Sequence, residues 1–488
     1  MVHDLIIVGA GFSGLGMAIQ LDRSGRRDWV LLESGTSVGG TWRDNAYPGA
    51  ACDVPSHLYS FSFEPAADWS HVYARQPEIR AYLERCVERY GLADRIRLGT
   101  RMTRAAWDAS AAVWRVETAG GDVLLARYVV FAIGALRDPR WPEIPGLEDF
   151  SGPVLHSARW DPDLPLEGKR LGIVGTGASA VQIVPALAGR VAHQTVFQRT
   201  PPWIGRRRDR VFSAAEKDRF AGSPLRMRAE RLRIYAGMEA KYPFFFGRFW
   251  RLGWFGEQVL TWNLRRTVTD PSLVEKVRPS YHLGCKRILA SDDWYPTLVR
   301  DDVAVETRRI VRIHRDGVEL DDGTRVPLDV LVCCTGFEVD EPLGDVQVSG
   351  ERGVDLRTFW NGRPAAYLGT TIPGFPNAFT LFGPNTGLGH TSMVVMIEAQ
   401  IRYVLGALDH MDASGAGTLA IQQSAYDAFV AEMDRRHRQR VWMSGCNSWY
   451  LGPDGTNFTL WPGSTLRFLA RTRRFDATPY VFGGSAPR

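Results

Sequence analysis

Two copies of one glycine pattern constrain the fold of this chain more than any other feature of its sequence. Residues 4–14 read DLIIVGAGFSG, and residues 169–180 read KRLGIVGTGASA. In each copy an apolar run, typical of a buried parallel strand, turns through glycine into a stretch with helical spacing. Such glycines let the backbone approach a pyrophosphate, whose charge then lies at a helix N-terminus. The sequence therefore predicts two dinucleotide sites. Their pattern positions are Gly9, Gly11 and Gly14 in the first copy and Gly175, Gly177 and Ala180 in the second.

The residue at the end of the next apolar run distinguishes the two predicted sites. Glu33 lies 24 residues after Gly9, whereas Arg199 lies 24 residues after Gly175. A carboxylate at this offset accepts hydrogen bonds from ribose hydroxyls and repels a 2′-phosphate, so the first site is predicted to take FAD or NAD. Arg199 and the adjacent Thr200 can bind a 2′-phosphate, which predicts NADPH in the second site. A single glycine match is a weak signal in a chain with 49 glycines, but an acid and a base at matched offsets are not.

The segment between the two copies carries a second, more specific pattern. Residues 150–161 read FSGPVLHSARWD, which fits FxGxxxHxxxW followed by Pro or Asp. The matching residues are Phe150, Gly152, His156, Trp160 and Asp161. This pattern resembles the fingerprint of type I Baeyer-Villiger monooxygenases, whereas related N- and S-oxygenating flavoenzymes usually carry Tyr in place of Trp160. The resemblance extends from residue 4 to about residue 475, and LWPGST at residues 460–465 is nearer the hydroxyacetophenone monooxygenase branch.

The resemblance implies an FAD-containing, NADPH-dependent monooxygenase. In such enzymes NADPH reduces the flavin, O2 adds to form a flavin C4a-peroxide, and the peroxide attacks a ketone to leave an ester or lactone. This chemistry needs fixed positive charge in a water-poor site. The resemblance assigns that charge to Arg287, in the segment CKR, and gives Asp53 the task of orienting its guanidinium. The substrate is expected to be a small apolar or aromatic ketone, with O2 as the second substrate.

The same resemblance assigns further cofactor contacts. Lys286 is expected to contact the nicotinamide cofactor, and Trp449 to touch cofactor and substrate. The segment GGTW and the aspartate that follows it border the flavin; these residues are Gly40, Thr41, Trp42 and Asp53. Structural interpretations stay open for several of these positions. Asp53 could cap a turn or helix, Lys286 and Arg287 could be an exposed basic pair, and a glycine-rich segment before a helix at about residues 391–410 could be an ordinary cap. His156 could be a general base, but its position on a linker favours a structural hydrogen-bonding role.

Together these patterns predict an α/β fold with two Rossmann-like, doubly wound dinucleotide-binding domains and an inserted helical subdomain. A proline-rich linker at residues 138–146 closes the first half, and an apolar run ending in Thr-Gly at residues 329–337 indicates that the first domain resumes there. The expected order is an FAD-binding part at 1–148, an NADP-binding part at 149–211, the helical insert at 212–280, a second NADP-binding part at 281–330 and a second FAD-binding part at 331–488.

Eight aromatic residues crowd into residues 244–262 of the predicted insert. They are Phe244, Phe245, Phe246, Phe249, Trp250, Trp254, Phe255 and Trp262. Their largely helical spacing favours a small packed helical core. A channel for apolar substrate is the second interpretation. An interfacial membrane helix is the least favoured, because the arginines of this segment do not fall on one clean face.

Three rival functions can be weighed against the same residues. An N- or S-oxygenating flavin monooxygenase on this scaffold is the main alternative, and Trp160 and Arg287 argue against it. A disulfide reductase with the same two domains would need a redox CxxC or CxxxxC pair, which the sequence lacks. A non-enzymatic nucleotide-binding module would keep the glycine patterns but would not need Arg287 and Asp53.

Composition and cysteine usage exclude other classes. Hydrophobic residues make up 45% and charged residues 23%, as in globular proteins, and no apolar run approaches the roughly 18 residues of a membrane-spanning helix. The chain starts with no basic leader, which predicts a cytoplasmic enzyme. Its six cysteines show neither metal nor disulfide spacing, so we expect buried or free thiols and no metal. The net charge is +5, and the one dense basic cluster, residues 206–210, is interpreted as a solvated face or a phosphate rim rather than a nucleic-acid patch.

Overall fold

The first sheet brings together distant parts of the chain. The computed structural model describes residues 1–446 and 448–485. At the centre of this sheet Val2–Val8 pairs in parallel with Trp29–Leu32 on one side and with Val123–Phe131 on the other. The order across the sheet is Gln347–Ser349, Met102–Asp108, Val113–Thr118, Val123–Phe131, Val2–Val8, Trp29–Leu32 and Ile96–Arg97, with Ala378–Thr380 also paired to Val123–Phe131. The two late strands show that the C-terminal part of the chain returns to this sheet.

The second sheet has five strands, and every pairing in it is parallel. Its order is Val303–Glu306, His193–Phe197, Arg170–Val174, Val330–Cys333 and Val154–His156. The expected boundary at residues 330 and 331 is therefore wrong, because Val330–Cys333 lies between Arg170–Val174 and Val154–His156 of this second sheet. The chain returns to the first sheet only at Gln347–Ser349. An apolar strand buried on both faces fits the centre of either sheet, and its non-local pairing decides between them.

Helices pack against both sheets and complete the two cores. Phe12–Arg23 and Met393–Ser414 contribute to the largest hydrophobic cluster, and Ala178–Leu187 contributes to the cluster of the second sheet. The other α-helices are Thr41–Asp44, Gln76–Arg89, Ala214–Ala221, Pro224–Glu239, Tyr242–Phe245, Trp254–Thr267, Pro271–Val277, Trp294–Leu298, Leu356–Trp360, Gln423–His437 and Thr465–Arg471. Three short sheets accompany the two main ones. Their strands are Ile204–Gly205 with Leu289–Ala290, then Ile310–His314 with Gly317–Leu320 and Arg325–Pro327, and Ala416–Ile421 with Tyr480–Ser485.

Local sequence explains the bounds of the long helix predicted near residues 391–410. Met393–Ser414 begins after Ser392, whose side chain accepts a hydrogen bond from the backbone N–H of Val394 at 3.2 Å. It ends at Gly415, which has φ +67° and therefore stops the helix at little steric cost. Its buried side packs against the helix Phe12–Arg23, where a Cβ on Gly16 would lie 3.0 Å from Ile401 Cδ1. The helix that follows the first glycine motif therefore packs against the C-terminal part of the chain.

Two linkers join the sheets, and they run side by side. Arg140 N donates to Gly336 O at 2.9 Å, and Glu338 N donates to Asp138 O at 2.9 Å. The Arg140 guanidinium also pairs with Glu338 and with Asp340, at 2.6 Å each. The two crossings therefore form one hydrogen-bonded ribbon that is reinforced by ion pairs.

His156 of the fingerprint lies directly against this ribbon. It is fully buried, and its ring contacts that of Trp141 on one linker (5.4 Å between centroids) and that of Phe337 on the other (6.1 Å). Burial lowers the pKa of His156 to about 4. Its Nδ1 accepts a hydrogen bond from the backbone N–H of Ala158 at 3.1 Å. A neutral, buried imidazole packed between both linkers is placed to couple the two sheets.

The predicted insert is helical, but its aromatic residues do not form a closed core. Phe246 is buried, whereas five of the eight aromatics are about half exposed: Phe244, Phe249, Trp254, Phe255 and Trp262. The favoured prediction of a packed helical core is therefore wrong for most of this cluster. Helical spacing shows which side chains share a face, and it does not show which face is covered. Among the described residues, no helix combines the length and the apolar content that crossing a membrane requires.

One disulfide corrects the expectation that all six cysteines are thiols. Cys285 and Cys446 are bonded across 161 residues of sequence, with 6.2 Å between their Cα atoms. The other four cysteines are free and buried, as expected: Cys52, Cys86, Cys333 and Cys334. The two bonded cysteines lie too far apart in the sequence to form a recognisable spacing motif, so no sequence pattern indicated the bond. The bond ties the residue before Lys286 to the loop that carries Trp449.

Candidate active site

A single cleft of about 2250 Å3 collects nearly all of the predicted site residues. It lies at the carboxyl ends of the central strands of both sheets, the edge where doubly wound sheets bind ligands. The predicted residues that line it are Gly9, Gly11, Glu33, Gly40, Thr41, Trp42, Asp53, Gly175, Gly177, Arg199, Thr200, Lys286, Arg287 and Trp449. Gly14 and Ala180 do not line it. The two predicted cofactor sites therefore open into one continuous space.

The first glycine of each pattern occupies the same backbone geometry. Gly9 and Gly175 both have φ +106°. A Cβ would lie 2.5 Å from the carbonyl oxygen of Ala132 at the first position and 2.6 Å from that of Cys334 at the second. Only glycine fits such a turn, in which the chain leaves a strand and enters a helix close to a neighbouring strand.

The middle glycines leave space at the two helix N-termini. A Cβ on Gly177 would meet nothing within 4 Å, and one on Gly11 would meet only Gly40 Cα, at 3.8 Å. Gly40 itself has φ +52°, and its Cβ would lie 3.1 Å from Gly11 Cα. A side chain at either glycine would fill the space over the helix N-terminus. Both cradles therefore fit a pyrophosphate, as FAD and NADPH require.

The third pattern position packs the helix on the strand instead of facing the cleft. A Cβ on Gly14 would lie 1.8 Å from the carbonyl oxygen of Gly9. Ala180, at the equivalent position of the second copy, keeps its Cβ in a fully buried site. The helix of the first copy therefore lies closer to its turn than the helix of the second.

Glu33 is held by the protein in a position that faces the first cradle. It is 4% exposed, and its carboxylate accepts hydrogen bonds from Ala10 N at 2.8 Å and Gly35 N at 2.7 Å. Arg43 Nη1 donates to the same carboxylate at 2.6 Å. Ser34 Oγ also donates to this carboxylate, at 3.3 Å. A carboxylate has about four acceptor positions, so the weak Ser34 bond is the one that a ribose hydroxyl can replace. Sequence reasoning missed Arg43, because no motif marks a residue ten places after the acid.

Lys286 and Arg199 approach each other at the second cradle. Arg199 is exposed, and Lys286 is partly buried with its Nζ 5.1 Å from the ring centroid of Tyr281. The pKa of Lys286 is lowered by burial and then by the charge of Arg199. Within the described part of the chain, neither cation forms an ion pair with a carboxylate. Two neighbouring cations without a protein partner fit a phosphate group.

Arg287 and Asp53 form an ion pair, although 234 residues separate them in sequence. Arg287 Nε and Nη2 donate to Asp53 Oδ2 at 2.9 and 2.5 Å. Arg287 Nη1 donates more weakly to the carbonyl oxygen of Leu388, at 3.4 Å. The Asp53 carboxylate raises the pKa of Arg287, so this group stays cationic. The alternatives of an exposed basic pair and of a capping aspartate do not describe this arrangement.

Tyr450 is the neighbour of this pair that sequence reasoning missed. Its side chain is fully buried, and its hydroxyl makes no hydrogen bond to any described residue. Burial raises the pKa of Tyr450 to about 12, against the opposing effect of the nearby Arg287 cation. Trp449, the predicted residue beside it, is 46% exposed and faces the cleft. Tyr450 directly follows Trp449 in the sequence, but the family resemblance marks only Trp449.

Gln182 is a second residue that the patterns did not mark. From the helix Ala178–Leu187 its side chain accepts hydrogen bonds from Tyr47 Oη at 3.1 Å and from Ala51 N at 3.3 Å. Its Nε2 donates to the carbonyl oxygen of Ala51 at 3.0 Å. These bonds fasten the helix of the second pattern to the segment just before Asp53.

The predicted basic rim at residues 206–210 does not face the cleft. Arg207 donates to the carbonyl oxygen of Cys52 at 2.8 Å, Arg210 pairs with Glu216 at 2.7 Å, and Arg206 lies 3.7 Å from Asp292. Three of these arginines are therefore engaged by the protein itself. Because the cluster lies outside the cleft, the interpretation as a phosphate rim is disfavoured.

Comparison with known proteins identifies the family of this chain. A family model described as pyridine nucleotide-disulphide oxidoreductase matches residues 6–220. A Baeyer-Villiger monooxygenase of Pseudomonas aeruginosa is 44% identical over 484 residues, which are 97% of this chain and 90% of that protein. The chain belongs to the Baeyer-Villiger monooxygenases. The resemblance found in the fingerprint at residues 150–161 is thereby confirmed.

Two solved structures share the whole fold with this one. Cyclohexanone monooxygenase from Rhodococcus sp. Phi1 bound to NADP+ has a TM-score of 0.88 at 27% identity, covering 99% of this chain and 100% of that one. The OTEMO complex with FAD and NADP has a TM-score of 0.89 at 25% identity, covering 99% of each chain. The predicted α/β fold, the monooxygenase class and the cofactors FAD and NADPH are confirmed by this membership.

Proposed function

We propose that this Baeyer-Villiger monooxygenase oxidises small apolar or aromatic ketones with O2, using Arg287 and Asp53 as its catalytic pair. The observation that carries the proposal is the ion pair itself, with Arg287 Nε 2.9 Å from Asp53 Oδ2, on the wall of the cleft that both cofactor cradles share. Each of the two side chains is about one third exposed. The guanidinium is therefore oriented by protein while it remains accessible to ligands in the cleft.

The cofactor residues of the chain divide between the two cradles. Gly9, Gly11, Gly40, Thr41, Trp42 and Glu33 would hold FAD, and Gly175, Gly177, Arg199, Thr200, Lys286 and Trp449 would hold NADPH. When bound, FAD accepts a hydride from NADPH and activates O2 for transfer to the ketone. Gly14 and Ala180 act indirectly, because they set how closely each helix approaches its strand.

Arg287 supplies a permanent cation next to the oxygen that carries negative charge during transfer. A guanidinium cannot act as an acid at neutral pH, so it stabilises the charge without moving a proton. Asp53 orients it and moderates its charge. The carbonyl oxygen of Leu388 is a further acceptor, on the opposite arm of the guanidinium. Lys286 and Arg199 are the matching cations for the 2′-phosphate of NADPH.

Replacement of Arg287 tests the assignment. We expect Arg287→Ala to lose ketone oxidation by at least about a hundredfold, as for other charge-stabilising donors, and to retain a larger share of any sulfoxidation. Arg287→Lys should restore only part of the activity, since an ammonium is a hydrated point charge without a planar fork. Products of a ketone and sulfide panel are measured after mixing the reduced enzyme with O2. Arg300→Ala, which removes an arginine paired with Asp302 outside the cleft, is the control.

Two outcomes would redirect the proposal. Full-rate ester formation by Arg287→Ala would mean that the positive charge comes from elsewhere, with Lys286 the first group to test. Equal loss of ketone and sulfide oxidation would favour the alternative of a general oxygenase that oxidises N and S atoms by the same route.

The division of the chain and its location complete the proposal. The FAD-binding part comprises residues 1–148 and the chain after the second linker, and the NADP-binding part runs from residue 149 through Cys333 with the helices of 212–280 inserted. The sheet pairings support this division. The proposed location is the cytoplasm, where NADPH is supplied. Cell fractionation with a marker enzyme for each compartment tests it.

A further inference from the structure

A cluster of large apolar side chains lies exposed on the inserted helices, away from the cleft. Its members, called here the aromatic face, are Phe244, Phe249, Leu252, Trp254, Phe255, Val259 and Trp262, each between 47% and 62% exposed. Scattered exposed apolar residues need no explanation, but seven within nineteen positions, five of them aromatic, are unusual for a surface in water. None of the seven lines the active-site cleft.

The helix Trp254–Thr267 shows the arrangement most clearly. Phe255, Val259 and Trp262 lie four and then three residues apart, so they share one side of the helix, and this side is exposed. The opposite side packs on the protein through Leu264, which is 1% exposed. The helix therefore turns a full apolar stripe outward. An ordinary surface helix presents polar residues on that side.

Basic residues surround the aromatic face. Lys241, Arg248, Arg251, Arg265 and Arg266 are all exposed, and within the described residues none of them pairs with a carboxylate. The single acid of the segment, Glu257, points inward, where it accepts a hydrogen bond from Leu283 N at 2.9 Å. The Arg266 guanidinium lies 4.8 Å above the ring of Trp262. Apolar rings with arginines at their margin match the composition of a helix that lies in the headgroup region of a bilayer.

The aromatic face is fastened to the body of the protein. Phe246, between two of its members, is buried and stacks on Trp442 with 6.0 Å between ring centroids. A Cβ on Gly284 would lie 2.6 Å from the carbonyl oxygen of Phe245. The segment that carries the face therefore packs against the chain just before Lys286 and Arg287. Docking through this face would hold the enzyme in one orientation.

We infer that the aromatic face docks on the surface of an anionic lipid bilayer. A bilayer offers an apolar phase for the rings and phosphate groups for the arginines within a few ångströms of each other. A second copy of this chain fits less well, because a two-fold contact would set the same unpaired arginines opposite themselves. If the proposed function holds, the enzyme would take an apolar ketone from the membrane in which that ketone dissolves.

Vesicle co-sedimentation of the FAD-loaded enzyme tests the inference. We expect binding to vesicles of phosphatidylcholine with 30% phosphatidylglycerol, much weaker binding to pure phosphatidylcholine, and loss of binding at high salt. Trp254→Ser/Phe255→Ser/Trp262→Ser and Arg265→Glu/Arg266→Glu should each weaken binding by about tenfold or more. The matched controls are Leu98→Ser/Val123→Ser/Leu466→Ser and Arg473→Glu/Arg474→Glu, which change exposed side chains elsewhere.

The vesicle experiment distinguishes docking on a bilayer from association with a second copy of the chain. Equal sedimentation of the variants, the controls and the original protein, or no sedimentation of any of them, overturns the inference. A dimer of the original protein that becomes monomeric in the triple variant, without vesicle binding, would assign the face to a second copy. NADPH oxidation measured without vesicles reports whether each variant is folded, and it tests the proposed function independently of docking.

Discussion

In the first dinucleotide module Val8, Phe131 and Thr380 follow one another across the sheet, and in the second module Val174, Cys333 and His156 do the same. The hydrogen bonds at the turn repeat as well. Gly9 N donates to Leu32 O at 2.8 Å, and Gly175 N donates to Phe197 O at 3.0 Å. The two halves of the molecule thus repeat the same strand order and the same turn at the point where each meets its cofactor.

Glu33 and Arg199, which lie 24 residues after the first glycine of each pattern, differ in charge and in surroundings. Glu33 is buried and already receives four hydrogen bonds from the protein, whereas Arg199 is exposed and lies near another cation, Lys286. The acid is fixed in place before any ligand arrives, and the base is left for a ligand to neutralise. On the proposed assignment, the shared turn makes each half a dinucleotide site, and the side chain at this position selects which dinucleotide binds.

The largest expected effect concerns the third position of the two patterns. Gly14→Ala places a Cβ 1.8 Å from the Gly9 carbonyl oxygen, so the helix must move away from its turn. We expect a loss of about 3 kcal/mol or more in the free energy of unfolding, with weakened FAD binding. Urea denaturation and the flavin content of the purified protein measure the two effects.

The matched change in the second module is Ala180→Gly. It removes a Cβ that the fold already accommodates, so we expect only about 1 kcal/mol of destabilisation, from the glycine in a helix. Equal costs for the two changes would mean that the helices of the two modules approach their turns equally closely.

A smaller effect is expected at Arg199. Arg199→Ala should weaken NADPH binding by about 1.5 to 3 kcal/mol, a factor of ten or more, because a charge-assisted phosphate contact is lost. NADH, which lacks the phosphate, should bind nearly as before. Dissociation constants for both nucleotides check this, with Arg300→Ala as the control. Equal losses for NADPH and NADH would remove Arg199 from the phosphate site.

A comparable effect, confined to acid pH, separates His156 from Thr380, its equivalent in the first sheet. The pKa of His156 is about 4 in the folded protein against an ordinary value of 6.5, so the unfolded chain binds more protons between these values. The free energy of unfolding therefore falls as pH is lowered from about 6.5 to about 4. His156→Gln should reduce this fall by on the order of 2 kcal/mol at the acid end, in denaturation curves at pH 7 and 4.5.

Thr380→Val provides the comparison, since it changes the equivalent position without a titrating group. Its pH dependence should match that of the original protein. His156→Gln should also slow flavin reduction by a similar factor at every pH, as expected for a group that couples the sheets. Loss of one limb of the pH-rate profile would instead restore His156 as a general base.

The sequence was sufficient for those features that are local or that recur in a family. The two turns, Glu33 and Arg199 follow from spacing, and the pairing of Arg287 with Asp53 was expected from resemblance. The sheet that receives Val330–Cys333 could not be predicted, because its apolar residues suit both sheets. The bond between Cys285 and Cys446, and the outward side of Trp254–Thr267, depend on packing between distant segments that carry no local signal.

The paired linkers limit how the two sheets can move. Two bodies joined by one flexible strand can swivel and twist independently. Here the crossings are bonded side by side through Arg140, Gly336 and Glu338, which leaves rotation about a single axis along the ribbon as the way to change the angle between the sheets. Such a rotation would also have to break the bonds between Gln182 and Ala51. Asp53 precedes this ribbon in the chain, and Arg287 belongs to the part between its two strands. A change in that angle would therefore alter the width of the cleft and the separation of the charged pair together.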